Sequence, residues 1–261
     1  MNTYLIKQYF IFLCKSTNEH GVHSPFVYDF ITKCCYDKSN LEDYKLLKEH
    51  REYLLNNKET ISVTDFGAGS KVFKNSNRSI NKIATTAGIT LRRSKLLYRI
   101  TKYFNPKSIL EIGTSVGLAT AALSFGNSNS KVISLEGCPN TVNAAKTGLT
   151  KFNSKNSEII QTEFKTYLNS IQNQQTTTFD LIYFDGNHTK KDTLDYFNKL
   201  LSSKHNDSIW IFDDIHWSIE MTEAWELIKL HPEVTVTIDS FYWGIVFFRK
   251  EQVKQNFIIR L

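Results

Sequence analysis

The 261-residue sequence contains no run of about 20 apolar residues, the length that a helix needs to cross a bilayer. An apolar stretch from Tyr4 to Cys14 is interrupted by Lys7 and Gln8, and no small-residue cleavage site follows it. It therefore predicts a buried amphipathic helix rather than a signal peptide. The four cysteines include no C-x-x-C pair, which argues against a disulfide framework and against a zinc site. Reduced thiols and a cytoplasmic protein without membrane association are expected.

The charge of the chain gives only a weak indication of its partners. The formal net charge is +6, and the lysines are spread along the whole sequence. A solvated surface explains such a distribution, whereas RNA binding needs basic residues clustered on one face. Nucleic acid is therefore an open but not a favoured partner, and a homo-oligomer is also left open.

Strand and helix signals alternate in the C-terminal part of the chain. Five short runs rich in Ile, Val and Phe predict strands, at 108–113, 131–137, 157–163, 179–186 and 208–215. A segment with helical spacing follows each of the first four, and this pattern predicts a parallel sheet covered on both faces. Runs at 234–238 and 244–249 have no helix between them, so they predict an antiparallel pair that finishes the sheet.

The N-terminal part has a different pattern. It is predicted to be helical around 4–14, 26–35, 41–56 and 91–104 and loop-like over 64–81. We therefore predict a helical cap or lid region over residues 1–90 and an α/β domain over residues 91–261. The segment from His20 to Tyr28 has two histidines and two aromatic residues around a proline. It is either a packed turn before a helix or a lid over the active site.

The segment Glu111-Ile-Gly-Thr-Ser-Val-Gly117 ends a predicted strand and opens a helix. Gly113 permits a tight turn, and Gly117 lets the backbone lie close to a ligand. A dinucleotide fingerprint needs glycines where this chain has Ser115 and Leu118, and no P-loop lysine follows. Glu136 ends the next strand, where an acidic side chain accepts both hydroxyls of a ribose. A second glycine loop, from Asp65 to Ser70, has no clear helix after it and predicts a surface or active-site-rim loop.

The strand with E-x-G-x-x-x-G, followed by an acidic residue at the end of the next strand, resembles motifs I and II of class I S-adenosylmethionine-dependent methyltransferases. The resemblance covers roughly residues 90–250. It implies an α/β, Rossmann-like, mostly parallel seven-stranded sheet with one antiparallel C-terminal strand, and it makes residues 91–261 the cofactor-binding domain. It also implies S-adenosylmethionine as cofactor, bound by Glu111, Gly113, Thr114, Ser115, Gly117, Glu136 and Glu163. Ser115 departs from the commonest motif I and is similar to the catechol O-methyltransferase-like branch.

Three carboxylates follow the fourth and fifth predicted strands. Asp185 ends the fourth strand, and Asp213 and Asp214 end the fifth. Carboxylates at neighbouring strand ends repel one another unless a cation or protons intervene, and oxygen ligands suit Mg²⁺. In metal-dependent O-methyltransferases similar residues hold a divalent metal, so the resemblance implies a Mg²⁺ site of these three residues. The alternative is that Asp213 or Asp214 caps a loop and that Asp185 holds the cofactor or backbone.

His188 is the candidate catalytic base, together with Asp185. It stands near the position of the catalytic lysine of the catechol branch, and a histidine there can accept the proton of a substrate hydroxyl. The alternative is a helix-capping or substrate-orienting histidine. His216 and Trp217 are further candidates for the wall of the site.

The resulting hypothesis is a methyltransferase that acts on a hydroxyl of a small molecule or sugar with the assistance of a divalent metal. Two alternatives stay open. One is an RNA methyltransferase, and the other is a non-catalytic module that keeps the cofactor pocket.

Overall fold

The structure, a computed structural model, describes residues 3–39, 42–64, 76–172 and 177–261. The described helices are α1 Thr3–Lys15, α2 Pro25–Phe30, α3 Asp43–Asn56, α4 Ile80–Thr86, α5 Leu91–Phe104, α6 Leu118–Gly126, α7 Pro139–Lys151, α8 Phe164–Gln172, α9 Lys190–Leu200 and α10 Ile219–Leu230. The strands are β1 Thr60–Ser62, β2 Asn77–Ser79, β3 Ser108–Ile112, β4 Lys131–Glu136, β5 Ser157–Gln161, β6 Leu181–Phe184, β7 Ile209–Asp213, β8 Val236–Asp239, β9 Trp243–Phe247 and β10 Gln255–Ile258. The predicted α/β class is confirmed, as are the seven strands predicted from 108–113 to 244–249. The glycine loop from Asp65 to Ser70 lies outside the described residues.

The chain packs into two compact units that differ from the predicted domains. The first unit consists of Met1–Asp37 and Leu168–Leu261, and the second consists of Lys38–Tyr167. Helix α3 packs against α5, α6 and α7 in the second unit. Phe26 and Phe30 of α2 instead pack on Phe247 of β9 in the first unit. The residues predicted to form one N-terminal cap are therefore divided between the two units.

The second unit carries the parallel strands β3, β4 and β5. Strand β4 pairs with both of the others, and Ile112 lies opposite Leu135 where β3 and β4 end. Helix α5 precedes β3. Its N-cap Thr90 accepts the backbone N–H of Arg93, and it ends at Asn105, which has a left-handed φ of 48° before Pro106. The short β1 and β2, which the sequence did not predict, form an antiparallel pair in the same unit.

The first unit carries five strands in the order β10-β8-β9-β7-β6. Strands β6 and β7 are parallel, and β9 is antiparallel to both of its neighbours, β7 and β8. The predicted antiparallel pair is thus confirmed, but β9 is inserted between β7 and β8 rather than finishing the sheet. Beyond β8, the parallel β10 was not predicted. Apart from β1 and β2, the five strands of this unit and β3, β4 and β5 of the second unit make eight strands in the described residues, one more than the seven predicted.

The N-terminal helix α1 forms as predicted, but it is not a buried helix. Phe12 is the one fully buried residue of α1, whereas Tyr9, Phe10 and Leu13 are exposed. The hydroxyl of Tyr4 donates to Thr222 of α10, which ties the helix to the rest of its unit. In the described part of the chain, no helix is long and apolar enough to cross a membrane.

The segment from His20 to Tyr28 is a packed turn that leads into α2. Ser24 caps the helix by accepting the backbone N–H of Val27, and the ring of Phe26 packs edge-on against Phe247. Phe247 pairs with Ile209 at the beginning of β7, four residues before Asp213 at its end. The Phe26 end of the segment therefore lies at the amino end of β7, away from Asp213, which supports the packed-turn alternative. The lid interpretation stays a prediction.

Candidate active site

In the second unit, the backbone between β3 and α6 forms an open loop at the carboxyl end of the strands. Gly113 and Gly117 have φ of 104° and 86°, and Ser115 has φ of 49°. Gly117 also needs its lack of a side chain for packing, since a Cβ there would lie 3.3 Å from Leu149 of α7. The backbone N–H groups of Gly113 and Thr114 both donate to the carbonyl of Leu135. The loop is thereby fixed to the end of β4.

Glu136 links this loop to the beginning of α7. Its Oε2 accepts the backbone N–H of Ser115 at 2.9 Å, and its Oε1 accepts the backbone N–H of Cys138 at 3.0 Å. The carboxylate is partly exposed, and a carboxylate oxygen can accept more than one hydrogen bond. Glu136 is thus held rigidly at the strand end where the sequence predicted a ribose-binding acid.

Glu111 occupies a different position from the other predicted cofactor residues. Its side chain is completely buried, and its Oε2 accepts hydrogen bonds from the hydroxyls of Thr120 and Ser134, each at 2.5 Å. The Thr114 hydroxyl lies 2.5 Å from that of Ser134 and extends the network to the loop. Glu111 and Thr114 therefore support the glycine loop from beneath rather than presenting free side chains to solvent.

Glu163 is the last of the predicted cofactor residues along the sequence. It is exposed and stands directly before α8, two residues after the end of β5. Gln161 at the end of β5 is the register partner of Glu136. Glu163 thus follows the strand next to Glu136 at the same edge of the sheet.

In the first unit, Asp185 and His188 form a close pair after β6. His188 Nε2 lies 3.4 Å from Asp185 Oδ1, and the two side chains are 27% and 16% exposed. The turn between them has positive φ at Asn187 and His188. Asn187 Nδ2 donates to the hydroxyl of Tyr196 at 2.6 Å, which holds the turn on α9. Thr189 caps α9 by accepting the backbone N–H of Asp192.

The electrostatics of this pair favour the protonated imidazole. Burial opposes protonation of His188, but the hydrogen bond to Asp185 and the charges of Asp214, Asp185 and Asp213 outweigh it. Together they raise the pKa of His188 to about 9. Three acids are therefore close enough to stabilise one positive charge on this ring.

Asp213 and Asp214 point in different directions after β7. Asp213 is buried, and its Oδ2 accepts the hydroxyl of Tyr183 at 2.9 Å. Its Oδ1 accepts the backbone N–H of Asp214 at 2.9 Å. Asp214 has a left-handed φ of 54° and is partly exposed. Asp213 therefore stabilises the turn after β7, and Asp214 contributes negative charge near His188.

The comparisons agree with this arrangement of strands and turns. A family model described as a methyltransferase domain matches residues 110–215, which include the glycine loop, Glu136, Asp185 and Asp213. An O-methyltransferase from Bacillus cereus in complex with S-adenosylhomocysteine aligns with a TM-score of 0.56 and 19% identity, over 85% of this chain and 97% of that one. The fold is that of the class I S-adenosylmethionine-dependent methyltransferases. The predicted resemblance is thereby confirmed.

Two further solved structures have this methyltransferase fold. A methyltransferase of Podospora anserina bound to S-adenosylhomocysteine aligns with a TM-score of 0.60 and 15% identity, over 88% of this chain and 98% of that one. An O-methyltransferase of Streptomyces achromogenes, involved in tomaymycin synthesis and in complex with S-adenosylmethionine, has a TM-score of 0.55 and 15% identity, over 85% and 95% of the two chains. No curated protein matches the sequence significantly.

The Mg²⁺ site predicted from Asp185, Asp213 and Asp214 stays a prediction. Among the described residues, no three His, Cys, Asp or Glu side chains converge in a way that could hold a metal ion. Both oxygens of Asp213 accept hydrogen bonds from the protein, and Asp185 faces an imidazole. Asp185, Asp213 and Asp214 all act on His188, but the structure does not bring them together as a set of Mg²⁺ ligands.

Sequence reasoning missed a second acid–histidine pair in the first unit. His216 Nε2 lies 2.8 Å from Asp239 Oδ2, and the other ring nitrogen lies 3.2 Å from the hydroxyl of Thr222. Asp239 also accepts the backbone N–H of Phe241, which has a φ of 75°. Asp239 ends β8, and such strand-end acids are the signal that also identified Glu136 and Asp213. The pair fixes the ring of His216 and the turn after β8, and the place of His216 in the wall of the site stays a prediction.

Proposed function

We propose that this chain is an S-adenosylmethionine-dependent O-methyltransferase that acts on a hydroxyl group of a small molecule. The observation that carries the proposal is the position of Glu136. Its carboxylate bridges the glycine loop and the first turn of α7, within the stretch that matches the methyltransferase domain. The Bacillus cereus and Streptomyces achromogenes proteins of this fold, described as O-methyltransferases, support the oxygen acceptor.

The proposed cofactor residues belong to the second unit. The turn at Gly113 and Gly117 would hold the cofactor along its backbone, and the N-terminus of α6 follows it. Glu136 would accept the ribose hydroxyls at the end of β4. Ser115 and Thr114 keep the loop in place, and Glu163 provides an outer polar contact. Glu111 acts from beneath by holding the hydroxyls of Thr120 and Ser134.

The proposed proton acceptor belongs to the first unit. Bound S-adenosylmethionine supplies an electrophilic methyl group on a sulfonium. Above about pH 9, where its ring is neutral, His188 takes the proton of the acceptor hydroxyl on Nδ1, while Asp185 holds the ring through Nε2 and stabilises the imidazolium that forms. S-adenosylmethionine held by the Gly113–Gly117 loop and Glu136 would supply the methyl group for the deprotonated hydroxyl oxygen, with the sulfonium sulfur as leaving group.

Cofactor binding is the first test. We expect S-adenosylmethionine and S-adenosylhomocysteine to raise the melting temperature and to bind saturably in calorimetry, because a ligand that binds the folded state stabilises it. NAD and ATP are the controls and should do neither, since the loop lacks the third glycine and the lysine of their motifs. Equal stabilisation by NAD would refute the cofactor assignment.

The acceptor and the metal need separate measurements. Transfer of a radiolabelled methyl group to a panel of small hydroxyl compounds, with matched amines beside them, tests the oxygen acceptor. Saturable cofactor binding without transfer to any compound would instead support the non-catalytic module. Titration of Mg²⁺ into the cofactor-bound protein tests the metal prediction, and binding that disappears in Asp213→Asn would restore the predicted metal site.

A further inference from the structure

Helix α5 presents a row of four cations on its outer face. Arg92, Lys95, Arg99 and Lys102 are spaced by three, four and three residues, which places them on one side of an α-helix. All four are exposed or half-exposed. The opposite side is buried and consists of Ser94, Leu97, Tyr98, Ile100 and Thr101. At a rise of about 1.5 Å per residue, the row is about 15 Å long.

The row receives no counter-charge from its own helix. Helix α5 contains no Asp or Glu. The ammonium of Lys95 lies 4.8 Å from the centre of the Tyr44 ring, and that of Lys102 lies 5.8 Å from the centre of the Tyr98 ring. Neither lysine forms an ion pair with a residue in the described ranges. Both ammonium groups are therefore positioned by aromatic rings and not neutralised by described acids.

A further cation extends the basic character at the beginning of the helix. Arg51 of α3 donates from Nη1 to the carbonyl of Ile89, two residues before α5. Burial lowers the pKa of Arg51, and the nearby positive charge of Arg93 lowers it further. Two guanidinium groups thus repel each other near the N-terminus of α5, where the helix dipole is also positive.

An aromatic side chain completes the outer face of α5. Tyr103 follows Lys102, lies four residues after Arg99, and is 39% exposed. Single-stranded nucleic acids bind where cations follow the backbone phosphates and an accessible ring stacks on a base. A membrane surface would need an apolar face beside the cations, but the apolar face of α5 is buried within the second unit.

We propose that the outer face of α5, consisting of Arg92, Lys95, Arg99, Lys102 and Tyr103, binds single-stranded RNA. This binding surface goes beyond the proposed methyl transfer and does not depend on it. The lysines and arginines of this face supply part of the net charge of +6. The lysines elsewhere that pair with acids do not form a continuous row.

The test measures fluorescence anisotropy of a labelled 15-nucleotide single-stranded RNA at several salt concentrations. One variant combines Arg92→Gln, Lys95→Gln, Arg99→Gln and Lys102→Gln. The matched control combines four exposed lysines that already pair with acids: Lys33→Gln, Lys45→Gln, Lys48→Gln and Lys131→Gln. Both variants lose the same charge. Circular dichroism and S-adenosylhomocysteine binding confirm that each is folded.

We expect the α5 variant to bind RNA at least about tenfold more weakly than the wild type, and the control variant to bind within about threefold of it. The slope of log K against log salt should fall by about 2.8 in the α5 variant, because each lost phosphate contact contributes about 0.7 for a single strand. Equal losses in the two variants would overturn the proposal, since net charge alone would then explain binding. Failure of the wild type to bind at 50 mM salt would do the same.

Tyr103→Leu separates RNA from other anions. It should weaken RNA binding about fivefold or more, because base–aromatic stacking contributes about 1–3 kcal/mol per base. Heparin and an acidic peptide carry charge but no bases, and their binding should be unaffected by this change. A preference of the wild type for either of them over RNA would overturn the assignment of the partner.

Discussion

The backbone N–H of Ser115 donates to the carboxylate of Glu136 at 2.9 Å. Ser115 is the residue that departs from the commonest motif I, and its φ of 49° is one that residues other than glycine rarely adopt. Glu136 also accepts the N–H of Cys138. The acid predicted to bind the ribose therefore also stabilises the unusual conformation of the loop and joins it to α7.

Replacing Glu136 tests this double role. We expect Glu136→Ala to weaken S-adenosylhomocysteine binding by about tenfold or more, because charge-assisted hydrogen bonds contribute roughly 1.5–3 kcal/mol each. Glu136→Gln keeps one acceptor oxygen, so its affinity for S-adenosylhomocysteine should lie between those of the wild type and Glu136→Ala. Isothermal titration calorimetry measures both. Glu158→Ala is the control, since Glu158 is an exposed acid on the neighbouring strand that pairs with Lys131, and an equal loss there would contradict the assignment of Glu136.

The Asp185–His188 pair predicts an unusual titration. The pKa of His188 is raised to about 9, so its protonated form should stabilise the protein fully below about pH 6.5 and cease to do so as the pH rises through about 9. In Asp185→Asn the pKa of His188 should fall, because the charge and hydrogen bond of Asp185 no longer oppose the effect of burial. Nuclear magnetic resonance of the imidazole measures this pKa in both proteins. A pKa that is the same in both proteins would show that Asp185 does not hold the ring.

His50 predicts the opposite dependence on pH. It is 1% exposed on α3, its ring lies 5.3 Å from that of Phe152, and burial lowers its pKa to about 4. A lowered pKa contributes stability that is present above about pH 6.5 and is lost as the pH falls towards 4. The loss should approach about 3 kcal/mol, since one pKa unit corresponds to about 1.4 kcal/mol. Urea unfolding at several pH values measures this loss. The free energy of unfolding should fall less steeply with falling pH in His50→Phe than in the wild type, and identical declines would contradict the prediction.

Gly244 predicts a steric cost within β9. A Cβ at this position would lie 2.6 Å from Cζ3 of Trp225 on α10. We expect Gly244→Ala to lower the free energy of unfolding by about 1–3 kcal/mol, because the buried ring must move. Urea unfolding measures the change. In a Trp225→Leu background the same substitution should cost less, and equal costs in both backgrounds would show that Trp225 is not the obstacle.

Much of the fold follows from local sequence. The strands that end at Ile112, Glu136 and Asp213 form close to their predicted positions, because runs of Ile, Val and Phe bounded by glycine or acids specify buried parallel strands. Helix α5 also forms at its predicted bounds, between the cap Thr90 and Asn105. Strand β10 was not predicted because its four residues, Gln255–Ile258, have no apolar run of their own.

The candidate site was predicted only in part. The glycine loop and Glu136 could be located because the turn is a continuous segment followed by one strand end. The hydrogen bond from Tyr183 to Asp213, 30 residues away in sequence, could not be predicted, and the three-acid metal site stays a prediction. The pairing of His216 with Asp239 joins residues 23 positions apart, and no local pattern reports such a contact.

The sequence by itself determined the α/β class, the parallel strands and the position of the glycine loop, because hydrophobic periodicity and turn residues act over a few neighbouring positions. The tertiary structure decided that β9 inserts between β7 and β8, that the N-terminal helices divide between two units, and that Glu136 reaches Ser115. It also decided that the cations of α5 lie opposite its buried face. Each of these depends on the side chains that distant segments bring together, and their burial and hydrogen bonds select one arrangement among those that the local pattern allows.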